Sequence, residues 1–151
     1  MAGTFAFEIT TPEKTVFTAQ VKQVSLPTQT GEITVLPHHI PIVSIIVPGV
    51  LHIRLESGEE QLLAVSGGFV EVQGKKVVVL ADSAERADEI DEARAEEARQ
   101  RAQEAMANRK NDVEFGAATA NLERQLARIR AVRRWKGHHR AGADHTPNPI
   151  Q

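Results

Sequence analysis

Apolar residues change their repeat once along this chain, near Leu80, and that change calls for two structural units of different kind. Ahead of it the repeat is two. Phe5, Phe7 and Ile9 alternate with polar residues, Ile33 and Val35 with Glu32 and Thr34, and Leu51, Ile53 and Leu55 with His52, Arg54 and Glu56. Alternation of this kind marks strands with one face on a core and one in water. Ser57-Gly58 and Gln73-Gly74 supply turns. The apolar run Ile42–Val47, stopped by Pro48-Gly49, reads as a strand buried on both faces. At Ser66-Gly67-Gly68-Phe69 the glycines permit a bulge or turn, and Phe69 is expected to return to the core. About eight to ten short strands at this spacing predict an antiparallel β-sandwich or flattened barrel over residues 1–81.

Beyond Leu80 the repeat becomes helical. Asp82 or Ser83 is placed to cap a first helix, with Glu85 in capping-box position. Ala87, Asp91, Ala95, Ala98, Ala102 and Ala105 then share one stripe, which lets a partner helix approach closely while burying little area. Asn108 to Asp112 reads as a turn. Phe115, Ala118, Leu122, Leu126, Ile129 and Val132 form the apolar face of a second helix. The pair predicts an antiparallel helical hairpin over residues 82–136. Gly137 is expected to end it, leaving 137–151 as a disordered tail.

Charge divides at the same places. Residues 1–81 hold seven acidic and five basic side chains, 82–114 hold eleven and six, and 115–140 hold one and seven. An acidic helix thus faces a basic one, but exposed pairs stabilise by only ~0.2–1 kcal/mol each. A hairpin built on alanine and surface charge is marginal, and so a candidate mobile element. The net charge of −2 and the acidic facing helix argue against nucleic-acid binding. The absence of cysteine excludes disulfides and thiolate metal sites. No apolar run approaches the ~20 residues of a membrane span, and the first ten residues lack a basic region followed by an apolar core. The expectation is a cytoplasmic protein that meets a membrane only peripherally.

Gly31 opens a short strand whose exit carries His38-His39 between Pro37 and Pro41, a rigid polar tip of the sort that presents contact residues. Adjacent extended residues point to opposite sides, so the two histidines are read as surface contacts rather than metal ligands. His52 reads as an exposed strand position, and His138, His139, Asp144 and His145 as a solvated group in the tail. Trp135 and Phe115 are expected to pack on neighbouring surface. No serine–histidine–acid order and no carboxylate pair stands out, so the chain is read as noncatalytic.

Four motifs in order, GEITVLPHHIP from Gly31, SGGFVEV from Ser66, LADSAER from Leu80 and IDEARA from Ile90, make residues 4–135 resemble the epsilon subunit of bacterial F-type ATP synthase. The resemblance implies a noncatalytic rotor subunit in proton-driven ATP synthesis, peripheral on the cytoplasmic face of the inner membrane. Its sandwich would bind the gamma subunit and rest on the c ring. Its hairpin would fold against the sandwich or extend into the alpha/beta catalytic hexamer and restrain ATP hydrolysis. Glu32 and His39 match tip positions that face ring and stalk, while His38 stands where relatives commonly have glycine. Asp91 and Arg94 match the family's I/L-D-x-x-R-A pattern, which in several bacterial members forms part of an ATP site, and Glu85 joins them by alignment. Arg101 lies two turns beyond Arg94 on the same face, and Arg124 and Arg128 share one face of the second helix. Converging guanidinium groups suit a triphosphate, so regulatory ATP is the one ligand expected and no cofactor is required. The plain alternative is that these arginines pair with Glu92, Glu97, Glu104 and Glu123. No glycine-rich phosphate loop is present, so hydrolysis by this chain is not supported. A different function class, a sandwich binding module that oligomerises through Leu122, Leu126 and Ile129, fits the same pattern of elements.

Overall fold

The computed structural model describes residues 3–143. Nine strands precede two helices: β1 (Phe5–Thr10), β2 (Thr15–Thr28), β3 (Gly31–Val35), β4 (Ile42–Ile46), β5 (Gly49–Leu55), β6 (Glu60–Val65), β7 (Gly68–Gln73), β8 (Lys76–Ala81), β9 (Ala84–Arg86), α1 (Glu92–Ala107) and α2 (Asp112–Ala143). The long β2 joins the two layers. Its first half pairs with β1, its middle with β5 and its end with β3. β1 lies parallel to β8, and pairing continues through β7 and β4 back to β2 at Thr28 and Ile46. The ring therefore closes on itself, with β5, β6 and β9 extending one side, so the sandwich is a flattened barrel.

Phe5, Phe7, Ile9, Val21, Val24, Leu26, Leu51, Ile53, Leu63, Val70 and Val79 fill the space between the layers, contributed by alternate strand positions except across the β2 irregularity between Val21 and Gln23. Gly68 lets β7 and β8 close up. Its φ is +131°, and a Cβ there would sit 2.0 Å from the Leu80 carbonyl oxygen, so no other residue fits.

Two strands differ from expectation. β4 is not buried on both faces: Ile46 is buried, but Val43 and Ile45 on the opposite face are exposed, because no element among the described residues covers that side of the sheet. Phe69 points outward as well, since the pleat of β7 sends Val70 and Val72 inward. The strand buried on both faces is β6. Leu63 and Val65 face the sandwich core, while Leu62 and Ala64 pack against the helices.

The sandwich also extends further along the chain than residue 81. Ala84–Arg86 form an edge strand paired with β6, so neither Asp82 nor Ser83 caps a helix and Glu85 belongs to no capping box. A 3-10 turn, Ala87–Glu89, follows, and the first helix begins only after Asp91, whose carboxylate accepts the Arg94 backbone N–H at 3.1 Å. The second helix is capped by Asn111 and Glu114: Asn111 Oδ1 accepts from the Glu114 amide at 2.8 Å, and Glu114 Oε2 from the Lys110 amide at 2.8 Å.

α2 does not stop at Gly137. It continues to Ala143, because its later turns find partners that outweigh the glycine's preference for an end: Trp135 stacks on His139 with ring centroids 4.4 Å apart, and His138 reaches Glu60. His138 and His139 are therefore helical rather than part of a solvated tail, and Asp144 and His145 lie outside the described residues.

The hairpin docks on β5 and β6 through a second, smaller cluster of Leu62, Ala64, Ala87, Ile90, Ala95, Ala127, Ile129, Ala131 and Val132, with Val50 and Trp135 at its margin. Five of those nine buried residues are alanine, so helix and sheet approach closely over little side-chain area. Between the helices, Glu92 accepts from Arg133 Nε at 2.9 Å and from Lys136 Nζ at 2.6 Å. Hydrogen bonds from Lys136 and Arg133 hold the Glu92 carboxyl below its ordinary range, against the opposing effect of desolvation.

Candidate functional site

The tip is built as its glycine and prolines require. β3 ends at Val35, and the chain turns through a hydrogen bond of 3.2 Å from the His39 amide to the Leu36 carbonyl before β4 begins at Ile42. His38 sits at the apex with φ +64°, the left-handed region that favours glycine. His39 Nδ1 lies 2.7 Å from the carbonyl oxygen of the following residue, Ile40, and Glu32 is exposed on β3. The two tip candidates stand toward opposite ends of β3: Glu32 lies beside Pro27 next to the Thr28–Gly31 turn, and His39 follows the other end of the strand with exposed Leu36 and Ile40.

An apolar row crosses the outer face of the sheet. The register places Ile45 beside Phe69 and Phe69 beside Leu80, and Val43 follows two residues along β4 on the same side. Phe69 is 55% exposed, Leu80 57% and Val43 70%. Isolated apolar residues at a surface need no explanation, but a row of neighbours does. Sequence periodicity missed this face because a strand apolar on both sides reads the same whether its second face meets a helix of its own chain or another protein.

The six residues expected to hold a nucleotide fall into three places. Glu85, Arg124 and Arg128 come together on a cavity of about 330 Å³ between β6, β9 and α2, also lined by Ser66, Ser83 and Gln125. There Arg128 donates to both Glu85 oxygens, from Nε at 2.7 Å and Nη2 at 3.2 Å, and from Nη1 to Gln125 Oε1 at 2.8 Å. The Glu85–Arg128 pair thereby bridges sandwich and hairpin. Arg101 lies elsewhere, on a cavity toward the hairpin turn with Ala102, Ala118 and Asn121. Asp91 and Arg94 stand at the start of α1, where Asp91 serves as the helix cap and the Arg94 side chain is 83% exposed. The docked hairpin therefore does not gather all six. Arg128 is engaged with a carboxylate, as the plain alternative expected, although its partner is Glu85 rather than a glutamate of the hairpin.

His52 is not an exposed strand position. Its side chain is 13% exposed, and Nε2 lies 3.3 Å from Glu60 Oε2 but out of line for a hydrogen bond, leaving a buried nitrogen without a hydrogen-bond partner. Trp135 packs at the margin of the docking cluster, and Phe115 lies under the Arg109 guanidinium at 4.4 Å. Among the described residues no group of three or more His, Cys, Asp or Glu side chains is arranged to hold a metal ion, and no helix is long and apolar enough to cross a membrane.

Comparison with known proteins gives the same two-part division. Residues 4–87 match the ATP synthase delta/epsilon chain β-sandwich domain and residues 88–133 the long α-helix domain of the same chain. The boundary falls just past β9, as the fold places it. The "ATP synthase epsilon chain" of Thioalkalivibrio sulfidiphilus is 38% identical over 93% of this chain and 100% of its own length. That of Herpetosiphon aurantiacus is 41% identical over 83% of this chain and 92% of its own. Among solved structures, a chain of the Euglena gracilis mitochondrial ATP synthase (OSCP, F1 and c-ring) superposes with a TM-score of 0.72 at 22% identity, over 82% of this chain and 78% of that one. A chain of the Tetrahymena thermophila mitochondrial ATP synthase central stalk and c-ring gives 0.56 at 15%, over 85% and 96%. Those two likenesses show a shared fold, and the sequence matches show descent: the chain belongs to the ATP synthase delta/epsilon chain family.

Proposed function

We propose that this chain is the epsilon-type, noncatalytic subunit at the foot of an ATP synthase central stalk, with its sandwich seated on the gamma subunit and its tip on the c ring. The observation that carries the proposal is the bare apolar row Val43, Ile45, Phe69 and Leu80 on a sheet whose other exposed face is taken by its own hairpin. A gamma helix laid across that row would bury it, while Glu32 and His39, toward opposite ends of β3, would meet the ring and stalk. The names of the sequence relatives and the stalk and c-ring assemblies that share the fold support this seat. Association follows the same logic as folding: apolar area leaves water, and a charged side chain in the row opposes it. Mixing the full chain with gamma at micromolar concentration should give a stable complex, which Phe69→Glu should abolish while the sheet stays folded. No complex with the unsubstituted chain would overturn the assignment.

The hairpin is the regulatory part of this reading. Docking through alanines and the Glu85–Arg128 pair leaves it releasable, and an extended hairpin would carry the basic face of α2 into the catalytic hexamer and restrain hydrolysis. Removing residues after Glu89 should raise ATP hydrolysis by the assembled enzyme without dissociating the stalk. Regulatory ATP fits best where Arg124 and Arg128 line one cavity, with the triphosphate taking over the guanidinium that Glu85 now holds. Calorimetry should then show heat with ATP for the native chain and for Arg94→Ala, and none for Arg128→Ala. Equal heats for Arg128→Ala and the native chain would remove this site. The location is the face of the membrane that carries the catalytic hexamer, which in a bacterium is the cytoplasmic one.

A further inference from the structure

The end of α2 meets the sandwich at a charged cluster that neither the stalk contacts nor the nucleotide cavity uses. Glu60, at the start of β6, is touched from three sides. Arg54 of β5 donates to Oε1 at 3.1 Å, His52 of β5 stands 3.3 Å from Oε2, and His138 of α2 brings Nδ1 to 3.0 Å from the same oxygen. The His52 and His138 rings meet edge-on with centroids 6.0 Å apart. Around them lies a cavity of about 520 Å³ whose other charged or titratable walls are Glu59 of β6, Arg86 of β9, Asp88 and His139. Arg86 is engaged by Asp88 at 2.8 Å, and Lys136, one residue before Gly137, by Glu92. With both imidazoles neutral, three carboxylates face two guanidinium groups, so the cavity favours one more positive charge.

We propose that His138 and Glu60 form a pH-sensitive latch that holds the hairpin against the sandwich when the histidine is protonated and loosens it when the proton leaves. This rests on the docked, releasable hairpin described above. Neutral His138 offers Glu60 one hydrogen bond at most; the imidazolium adds a charge pair across the interface between the two units. His52 belongs wholly to the sandwich and keeps Glu60 aimed at the helix. Desolvation works to raise the Glu60 carboxyl, but the hydrogen bond from Arg54 and the charges of His52 and His138 prevail and hold it below the ordinary carboxylate range. Glu60 therefore remains an anion throughout the window around pH ~6.5 in which histidines exchange their proton. An imidazolium paired with Glu60 across the interface makes docking stronger in acid than in base.

The chain has no cysteine, so spin labels on Glu56→Cys and Arg140→Cys report the docking distance in the otherwise intact protein. Measurements are made at the urea concentration that leaves half the hairpins docked at pH 8.0. Lowering the pH to 5.5 should raise the docked-to-released ratio about twofold to fivefold, the range of a half-exposed ion pair. Glu60→Gln and His138→Gln should each hold the ratio within about 1.3-fold of its pH 8.0 value, and His139→Gln should respond as the native pair does. A native ratio that ignores pH, or the same rise in His138→Gln, overturns the latch alone. A docked distance that persists until the sheet itself unfolds overturns the releasable hairpin, and the latch with it.

Discussion

The two apolar clusters of this molecule are built from different residues, and the difference separates a densely packed scaffold from a lightly docked hairpin. Between the sandwich layers lie phenylalanine, leucine, isoleucine and valine, wholly buried and tied into a ring of strands that closes on itself. Beneath the hairpin lie mostly alanines, joined by the larger buried side chains Leu62, Ile90, Ile129 and Val132. Burial contributes in proportion to area, about 25 cal/mol per Å², so the first cluster holds far more free energy than the second. Polar links follow the same split. The sandwich is joined by backbone ladders, whereas the hairpin is joined to it by side-chain pairs such as Glu85–Arg128 that are partly open to solvent. A ladder must unfold to be broken; a side-chain pair need only separate.

The sharpest way to break this comparison is to damage each cluster in turn. Phe7→Ala should lower the unfolding free energy of the sheet by about 3–5 kcal/mol, read from urea denaturation followed by strand circular dichroism. Gly68→Ala should cost about as much, through a forbidden φ and collision with the Leu80 carbonyl. Ala131→Leu should instead expel the hairpin at a cost of about 1–3 kcal/mol while sheet stability measured on the same sample stays within error. Glu85→Gln should loosen docking by only ~0.2–1 kcal/mol, since both side chains reach solvent. Acid should act on the link between the helices. Glu92 is held below the ordinary carboxylate range, so its contribution is complete above about pH 4.3 and disappears as pH falls through its lowered value. Helix contact followed by the Glu92–Lys136 pair should thus weaken only once pH falls below the ordinary carboxylate range. Gly137→Ala should act in the other direction, stabilising the end of α2 by about 0.5–1 kcal/mol, because that glycine is helical and nothing crowds its missing Cβ.

The period change near Leu80 located the two units, and Gly31, the proline pair and Asn108–Asp112 located their turns, because each is a local signal. What the sequence hid depends on which surface covers which. Leu62 and Ala64 look like ordinary strand residues until α2 lies over them, and Ile45 and Phe69 look like core until nothing does. Ala84–Arg86 are too short to show a period, so the edge strand that sets the true boundary read as helix. His52 alternates with apolar residues as an outward position should, yet β5 turns that face toward α2. Gly137 carries the local mark of a helix end, which Trp135 and His138 override by contacts made across the fold. Of the nucleotide candidates, Arg124 and Arg128 were placed together by helical spacing. Their joining to Glu85, and their separation from Asp91, Arg94 and Arg101, follow from how the hairpin docks.

The central claim is that the hairpin releases as a unit from a sandwich that stays folded. Native-state hydrogen exchange measures it most directly, because each amide reports the free energy of the opening that exposes it. The account predicts that the middle of α2, around Ala127–Val132, exchanges through one opening several kcal/mol easier than that of β1, β2 and β5. Equal opening free energies for α2 and those strands, both matching global unfolding, would contradict it.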